Sequence, residues 1–215
     1  MVSSPVKLPV TVPTEEGLSV EGASPALLAE LLGQYGDLLQ STSPEIWLAS
    51  RPGLSRDEVE EALVQAGVVP HPELVVWWAW RDGWTDVAGR GAFIPQMSLE
   101  NACELLPEVD DLPAPMLRPE GTWLPVSGWG LRHLVAFSAE SVTDAPKIRV
   151  ISPEFEPAHG QVTHGQAVSL CTYVAWHLEG IKTGRVYFDR TAKAWKSDVE
   201  AWRAAPLELR LTGLI

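Results

Sequence analysis

Acidic side chains form the main cluster of groups that could carry chemistry. Glu108, Asp110 and Asp111 lie close together in the run PEVDDLPAPMLRPEG, and Asp82 directly precedes a glycine after a tryptophan-rich segment. Carboxylates at this spacing could bind a hard cation, but the run lacks the alternating Asp/Asn ligands and the glycine of a calcium loop. We interpret it as a solvated acidic loop, with a docking patch for a basic partner as the alternative.

Histidines offer little support for a metal site. His159 and His164 lie five residues apart in the echo HGQVT and HGQAV. On a strand this odd spacing points the two imidazoles to opposite faces, and only Glu154 and Glu156 are near in sequence as further ligands. The sequence therefore predicts neither a metal nor a cofactor.

The sequence contains no recognisable catalytic motif. Ser127 lies in PVSGWG, which lacks the glycine two positions before the serine that a nucleophile elbow requires. A hydrolase could still be assembled from distant groups such as Asp82, His133 and His177, which leaves an enzyme open as an alternative. The main expectation is a non-enzymatic protein.

Charge is distributed unevenly along the chain. The net charge is −12, and residues 1–111 hold 18 acidic and 5 basic side chains, a net charge of −13. Such a field repels nucleic acid and anionic membranes and attracts a basic protein on encounter. We therefore expect a basic protein partner, with no nucleic acid and no membrane; the sequence indicates no oligomeric state.

The compartment is predicted from the cysteines and the N-terminus. Cys103 and Cys171 form no CxxC pair, which is typical of a reducing compartment. The first 20 residues hold one lysine, no continuous apolar stretch and three prolines, so they do not resemble a secretory signal. A cytoplasmic protein is the prediction.

Capping residues and apolar spacing predict a series of helices. Ser24 and Pro25 open an amphipathic segment that contains Gly33 and Gly36, and Ser55 and Glu58 stand in capping-box register. Further helices are predicted in HPELVVWWAWRDG, with Gly83 just past its end, in SLENACELL, opened by Ser98, in GQAVSLCTYVAWHLEG, ending at Gly180, and in SDVEAWRAAP, capped by Ser197.

The segment VVWWAWRDGW places four tryptophans within eight positions. On a helix, Trp77 and Trp78 are expected to lie in the core, and Trp80 somewhat less so. Trp84 follows the predicted helix end and is expected to start a loop. If one of these indoles meets a partner, Trp84 is the predicted one.

Strand patterns follow the first helices. The runs TWLPVS, RHLVAFSA and KIRVIS predict an antiparallel sheet, and AFIP, GRVYFD and LELRLTGLI predict shorter strands. Helices and strands are thus segregated, which favours an α+β fold with an antiparallel or mixed central sheet flanked by helices. The expected organisation is an extended N-terminal arm (1–24), a single α+β domain (25–190) whose residues 25–56 are a helical extension, and a C-terminal helix and strand extension (191–215).

Several short motifs resemble the SUKH superfamily of Smi/Knr-like proteins. A helix with an acidic residue leads through a G-x-x-P link to an apolar helix that closes on Asp-Gly; the matching residues are Glu61, Gly67, Pro70, Leu74–Trp80 and Asp82–Gly83. TWLPVS, with Trp123 and Pro125, RHLVAFS and KIRVISPEF resemble the family's strands, and AVSLCTYVAWHLEG, with Ser169 and Leu170, resembles its closing helix. The likeness covers residues 57–181. It departs from the family at Ser138, where an aspartate is usual, and in KIRVIS, which lacks a glycine-valine pair.

The resemblance implies a non-enzymatic α+β domain. Bacterial members act mostly as immunity proteins that neutralise polymorphic or contact-dependent toxins by binding them, whereas fungal members are regulators. A regulatory or scaffold protein without a toxin partner is therefore the alternative. From expected exposure, the predicted partner-binding residues are Asp82, Trp84, Glu108, Asp110, Asp111 and Trp129.

Overall fold

The computed structural model describes residues 9–14, 17–85, 94–110, 123–128, 134–138, 148–151 and 168–205. Within these ranges the helices are α1 (Pro25–Thr42), α2 (Pro44–Leu48), α3 (Arg56–Gln65), α4 (Pro72–Trp80), α5 (Leu99–Asp110), α6 (Leu170–Lys182) and α7 (Val199–Arg203). The strands are β1 (Thr11–Thr14), β2 (Gly17–Val20), β3 (Ser50–Pro52), β4 (Arg81–Trp84), β5 (Trp123–Gly128), β6 (Leu134–Ser138), β7 (Ile148–Ile151), β8 (Val186–Asp189) and β9 (Ala194–Ser197).

The predicted α+β class is confirmed. Strands β5, β6 and β7 form a three-stranded sheet in sequence order, and β1-β2, β3-β4 and β8-β9 form two-stranded pairs. All these pairs are antiparallel. The three longer runs predicted as strands therefore pair with one another as expected.

Helix starts agree closely with the sequence because each depends on a local side-chain cap. Ser24 Oγ accepts a hydrogen bond from the Leu27 N–H, and Ser98 Oγ from the Asn101 N–H. Ser55 and Glu58 form the predicted capping box. Ser169 also caps its helix, α6, through the Thr172 N–H, although it was predicted inside the helical run and not as its cap. Each cap satisfies an N–H group that the helix itself leaves without a partner.

The tryptophan-rich helix α4 lies in the core, as predicted. Trp77 and Trp78 are fully buried, and their indole Nε1–H groups donate to the carbonyl oxygens of Val126 and Met97 at 3.2 and 3.0 Å. Trp80 is half-buried and packs near Tyr35. A buried indole needs an acceptor for its N–H, and here the backbone on the far side of the core supplies it.

The prediction that Gly83 stops the tryptophan helix is wrong. Helix α4 ends at Trp80, and the chain passes directly into β4, since Arg81 is already extended. Gly83 lies inside β4 with φ +77°, and a Cβ there would lie 2.5 Å from the Ser98 nitrogen. The glycine is needed because the backbone at Ser98 approaches too closely for any side chain.

Other helix boundaries also differ from the prediction. Gly180 lies inside α6, where its missing side chain makes room for the Trp202 ring, and the helix continues to Lys182. The cap of α7 is Asp198 rather than Ser197, which ends β9. Helix α5 continues through Pro107 to Asp110, so Glu108 and Asp110 belong to a helix where a loop was predicted.

Part of the predicted N-terminal arm forms a hairpin on α6. Strands β1 and β2 pair, and Leu18 and Val20 are buried. Thr11 Oγ1 donates to the Glu179 carboxylate at 2.8 Å. The hairpin thus packs against the domain instead of extending away from it. The predicted strand LELRLTGLI and His133, His159 and His164 lie outside the described residues.

In the described part of the chain, no helix is both long enough and apolar enough to span a membrane.

Candidate protein-binding groove

A groove of about 620 Å³ lies between α3 and α5. Helix α3 contributes one wall and α5 the other, and β4 and the residues before α3 complete it. We call it the α3–α5 groove. Its lining residues are Leu54, Glu58, Ala62, Gln65, Ala66, Asp82, Leu99, Glu100, Cys103 and Glu104.

The α3–α5 groove is acidic. Glu58, Asp82, Glu100 and Glu104 line it, and none of its lining residues is a lysine, arginine or histidine. Like charges brought together on a concave wall reinforce one another and concentrate the field inside it. A cationic group entering the groove therefore gains from Glu58, Glu100 and Glu104, and less from Asp82, whose charge Arg51 partly offsets.

Asp82 connects the groove to the start of α5. Its Oδ1 accepts a 2.8 Å hydrogen bond from the Leu99 N–H, in the first turn of the helix. Its Oδ2 lies 3.9 Å from Arg51 Nη1, beyond hydrogen-bond length. Burial raises the pKa of Asp82 above its usual value, and the hydrogen bond from Leu99 and the charge of Arg51 offset only part of that effect.

The position of Asp82 depends on its neighbour Gly83. Because Gly83 has no side chain, β4 can lie against the backbone of Met97 and Ser98. This close approach places the Asp82 carboxylate at the N-terminus of α5, where unpaired N–H groups favour a negative charge. The Asp-Gly pair thus fixes one acidic group of the groove.

Glu58 is held by the start of its own helix. Its carboxylate accepts a 2.7 Å hydrogen bond from the Ser55 N–H. Hydrogen bonds from the Ser55 hydroxyl and then from the Ser55 backbone lower the pKa of Glu58. Glu58 is therefore a fixed negative charge at one end of the groove.

Apolar and small side chains form the rest of the lining. Leu54 and Leu99 are apolar, and Ala62 and Ala66 leave the surface of α3 shallow. The Cys103 thiol is half-buried, and burial raises its pKa, so at neutral pH it reacts more slowly than a fully exposed thiol. The groove thus combines an apolar surface with acidic groups, as interaction sites on proteins do.

The predicted partner-binding residues lie on different elements of the structure or outside the described residues. Asp82 lines the groove, and Glu108 is exposed on α5, one turn beyond Glu104. Asp110 is the last residue of α5, and its side chain is not described. Asp111 and Trp129 lie outside the described residues.

The expectation of an exposed indole at Trp84 is wrong. Trp84 belongs to β4 rather than to a loop, and only 7% of its surface is accessible. Its Nε1–H donates to the Ile94 carbonyl at 3.2 Å. The cause is the direct passage from α4 into β4, which turns the side chain into the core.

Three acidic residues of the groove were not among the predicted contacts: Glu58, Glu100 and Glu104. Glu58 was predicted as a capping-box residue, which is correct but incomplete. Glu100 lies in the first turn of the helix predicted in SLENACELL. The available signal was spacing. Glu100 and Glu104 lie four residues apart on one face of α5, as Ala62 and Ala66 do on α3.

Of the two histidines of the hydrolase alternative, His177 is not among the groove-lining residues, and His133 lies outside the described residues. His177 is 1% exposed, and its Nδ1 lies 2.8 Å from the Tyr173 carbonyl oxygen. The rings of Tyr173 and Trp176 surround it edge-on, and burial lowers the pKa of His177 to about 4. It is not among the groove-lining residues that include Asp82. Among the described residues, no group of three or more potential ligands is arranged to hold a metal ion.

Comparison with known proteins gives no match to this chain, either among protein-family models or among curated proteins. Membership of the SUKH superfamily stays a prediction from the short motifs quoted above.

Proposed function

We propose that this protein is a non-enzymatic immunity protein that neutralises a toxin by direct binding, and that the α3–α5 groove receives basic side chains of the toxin domain. The observation that carries the proposal is the lining of the groove, which has four carboxylates and no basic residue on a partly apolar surface. The immunity role itself comes from the resemblance to SUKH proteins.

The charge of the whole chain supports a basic partner. The net charge of −13 over residues 1–111 covers both helices that form the groove. A field of this sign accelerates the encounter with a basic domain and weakens as salt is added. The groove then supplies short-range contacts in the same acidic region.

The surroundings of His177 favour binding over hydrolysis. A histidine with a pKa near 4 is a poor general base at neutral pH, and its ring lies among Tyr173 and Trp176 rather than beside Asp82. The surroundings of His177 and Asp82, the two described residues of the hydrolase alternative, therefore do not support a catalytic pair.

The test begins with the neighbouring gene, which under this proposal encodes a toxin, and uses the C-terminal domain of that toxin. Growth protection on co-expression and the Kd measured by calorimetry are compared for the wild-type protein and the double variant Glu100→Gln/Glu104→Gln. Removing two charges that meet cationic side chains should raise the Kd about 10-fold or more and slow association. In 1 M salt the difference in Kd between the wild-type protein and the double variant should become smaller.

A matched variant separates the groove from net charge. Glu30→Gln/Asp37→Asn removes the same two charges from exposed positions of α1, outside the groove. Its Kd should remain within about twofold of wild type, because dispersed surface charge contributes little to a specific contact. Equal losses of affinity in both double variants would show that only overall charge matters. A toxin that neither binds nor is neutralised would refute the immunity function.

A further inference from the structure

Both walls of the α3–α5 groove are helical, and their lining residues repeat at helical spacing. Glu58 and Ala62 of α3 and its C-cap residue Ala66 follow one another at intervals of four, and on α5 Glu100 and Glu104 do the same. The stripe from Glu58 to Ala66 covers eight residue steps, or roughly 12 Å at 1.5 Å per step. The groove is therefore long enough to contact about two turns of another helix.

Helical walls give an extended segment little to bind. A peptide that adds to a sheet gains its affinity from backbone hydrogen bonds along a free strand edge. In a helix the backbone N–H and C=O groups between the two ends are used by the helix itself. Pro107 of α5 is an exception, because it has no N–H to donate. The occupant must therefore gain from side-chain packing and charge.

Small side chains allow close approach. Ala62 and Ala66 on α3 face the groove together with Cys103 on α5, and Leu54 and Leu99 provide apolar surface. A helix carrying an apolar stripe could lie against these positions without displacing large side chains, in the way that amphipathic helices lie in hydrophobic grooves.

The positions of the groove carboxylates indicate where a bound segment would need its positive charges. Glu100 and Glu104 lie one helical turn apart along α5, and Asp82 offers an Oδ2 that accepts no hydrogen bond from the described residues. Lysine or arginine side chains spaced four residues apart on an occupying helix would match the Glu100 and Glu104 pair. The lining residues carry no positive charge, and Arg51, which is not one of them, lies 3.9 Å from the Asp82 carboxylate, so the basic residues of an occupant are matched to Glu100 and Glu104.

We propose that the α3–α5 groove binds an amphipathic helix of the partner, with its apolar face on Ala62, Ala66 and Leu99 and with basic residues four positions apart on Glu100 and Glu104. The proposal rests on the proposed function, because the toxin supplies the helix. It adds the form of the contacting segment and the spacing of its charges.

Cys103 provides a direct readout of groove occupancy. Its thiol lies in the lining and is half-buried, whereas Cys171 is fully buried and serves as an internal reference. The rate of maleimide labelling at Cys103, followed by mass spectrometry of the full chain, should fall about 10-fold when the toxin domain is bound.

Three synthetic 20-residue peptides test the form of the occupant without the toxin. One carries a leucine and alanine face with lysines four apart, the second has the same composition with two central positions exchanged for proline, and the third has glutamate in place of lysine. The first peptide should slow labelling of Cys103, and the other two should not. In the Glu100→Gln/Glu104→Gln variant the protection by the first peptide should be lost.

The outcomes distinguish the two proposals. A toxin complex that forms while Cys103 is labelled at its free rate would overturn the groove assignment and leave the immunity function intact. Equal protection by the helical and the proline-containing peptides would overturn the helical form. If the helical peptide protects Cys103 but no toxin complex forms, the groove's preference for a helix is supported and only the proposed function is refuted. If neither the toxin nor any peptide protects Cys103, the further inference is overturned.

Discussion

Glu73, in the first turn of α4, accepts a 2.7 Å hydrogen bond from the backbone N–H of Leu170 at the start of α6, 97 residues further along the chain. Glu73 is 3% exposed. Burial raises its pKa to about 7, although hydrogen bonds from the Leu170 and Cys171 backbone act in the opposite direction. One buried carboxylate thus joins the tryptophan helix to the closing helix.

Replacing Glu73 should change how stability depends on pH. Because the pKa is about 7 in the folded protein against an ordinary 4.5, protonation stabilises the fold fully below pH 4.5, and this contribution is lost as the pH rises through 7. Glu73→Gln keeps an acceptor oxygen but does not ionise. The variant should therefore gain up to about 3 kcal/mol relative to wild type between pH 4.5 and pH 8.

Urea unfolding at intervals across that pH range measures the difference in the free energy of unfolding. Glu30→Gln, at an exposed position of α1, is the control and should show no comparable trend. A Glu73→Gln difference that stays constant with pH would contradict the buried, proton-binding carboxylate.

His177 should contribute a trend of the opposite sign. Burial lowers its pKa to about 4 from an ordinary 6.5, so its stabilising contribution is present above pH 6.5 and is lost as the pH falls through 4. An NMR titration should show the His177 imidazole neutral down to about pH 5. Protonation near pH 6.5 in the folded protein would show that the ring is solvated.

Gly83 and Gly67 form a matched pair, because both have φ +77°. Gly67→Ala should cost about 1 kcal/mol, since nothing lies within 4 Å of the added Cβ and only the backbone conformation is strained. Gly83→Ala should cost well over 3 kcal/mol, because the Cβ would meet the backbone at Ser98 and Met97. Equal losses on urea unfolding would mean that β4 and the α5 start can separate easily.

Trp84→Phe should lower stability without changing toxin affinity. The substitution removes the Nε1–H that donates to the Ile94 carbonyl and leaves a small void, with an expected cost of about 2 kcal/mol. Calorimetric titration with the toxin domain should give the wild-type Kd. A 10-fold weaker complex from a fully folded variant would restore the indole as a partner contact.

Local signals predicted the fold best. Ser24, Ser55 and Ser98 start helices through bonds to residues three positions away, so each cap can be predicted from one short segment. Gly83 and Gly180 were misread as helix ends because their reason is tertiary: one admits the Ser98 backbone and the other the Trp202 ring. No local pattern distinguishes such a glycine from a stop.

Strand β8 was predicted in GRVYFD, but its partner β9 and the hairpin that joins them were missed for a different reason. Its turn contains no glycine or asparagine; instead Asp189 Oδ1 accepts from the Thr191 and Ala192 N–H groups, and Lys193 adopts φ +50°. The acidic groove was missed because Glu58 and Glu100 come from separate helices. Only the packing of α3 against α5 brings them to one surface.

The indole N–H groups of the tryptophan-rich segment can report how firmly that segment is packed in the core. Trp77, Trp78 and Trp84 each give an indole proton to a carbonyl of Val126, Met97 or Ile94. These protons can exchange with solvent only when the opposing backbone lifts away, so their exchange rates measure the local opening that precedes any exposure of the core. The Trp78 and Trp84 resonances would thus measure how often the segment from Ile94 to Met97 opens, which leads into α5 and its acidic wall, and the Trp77 resonance would measure the opening of β5 at Val126.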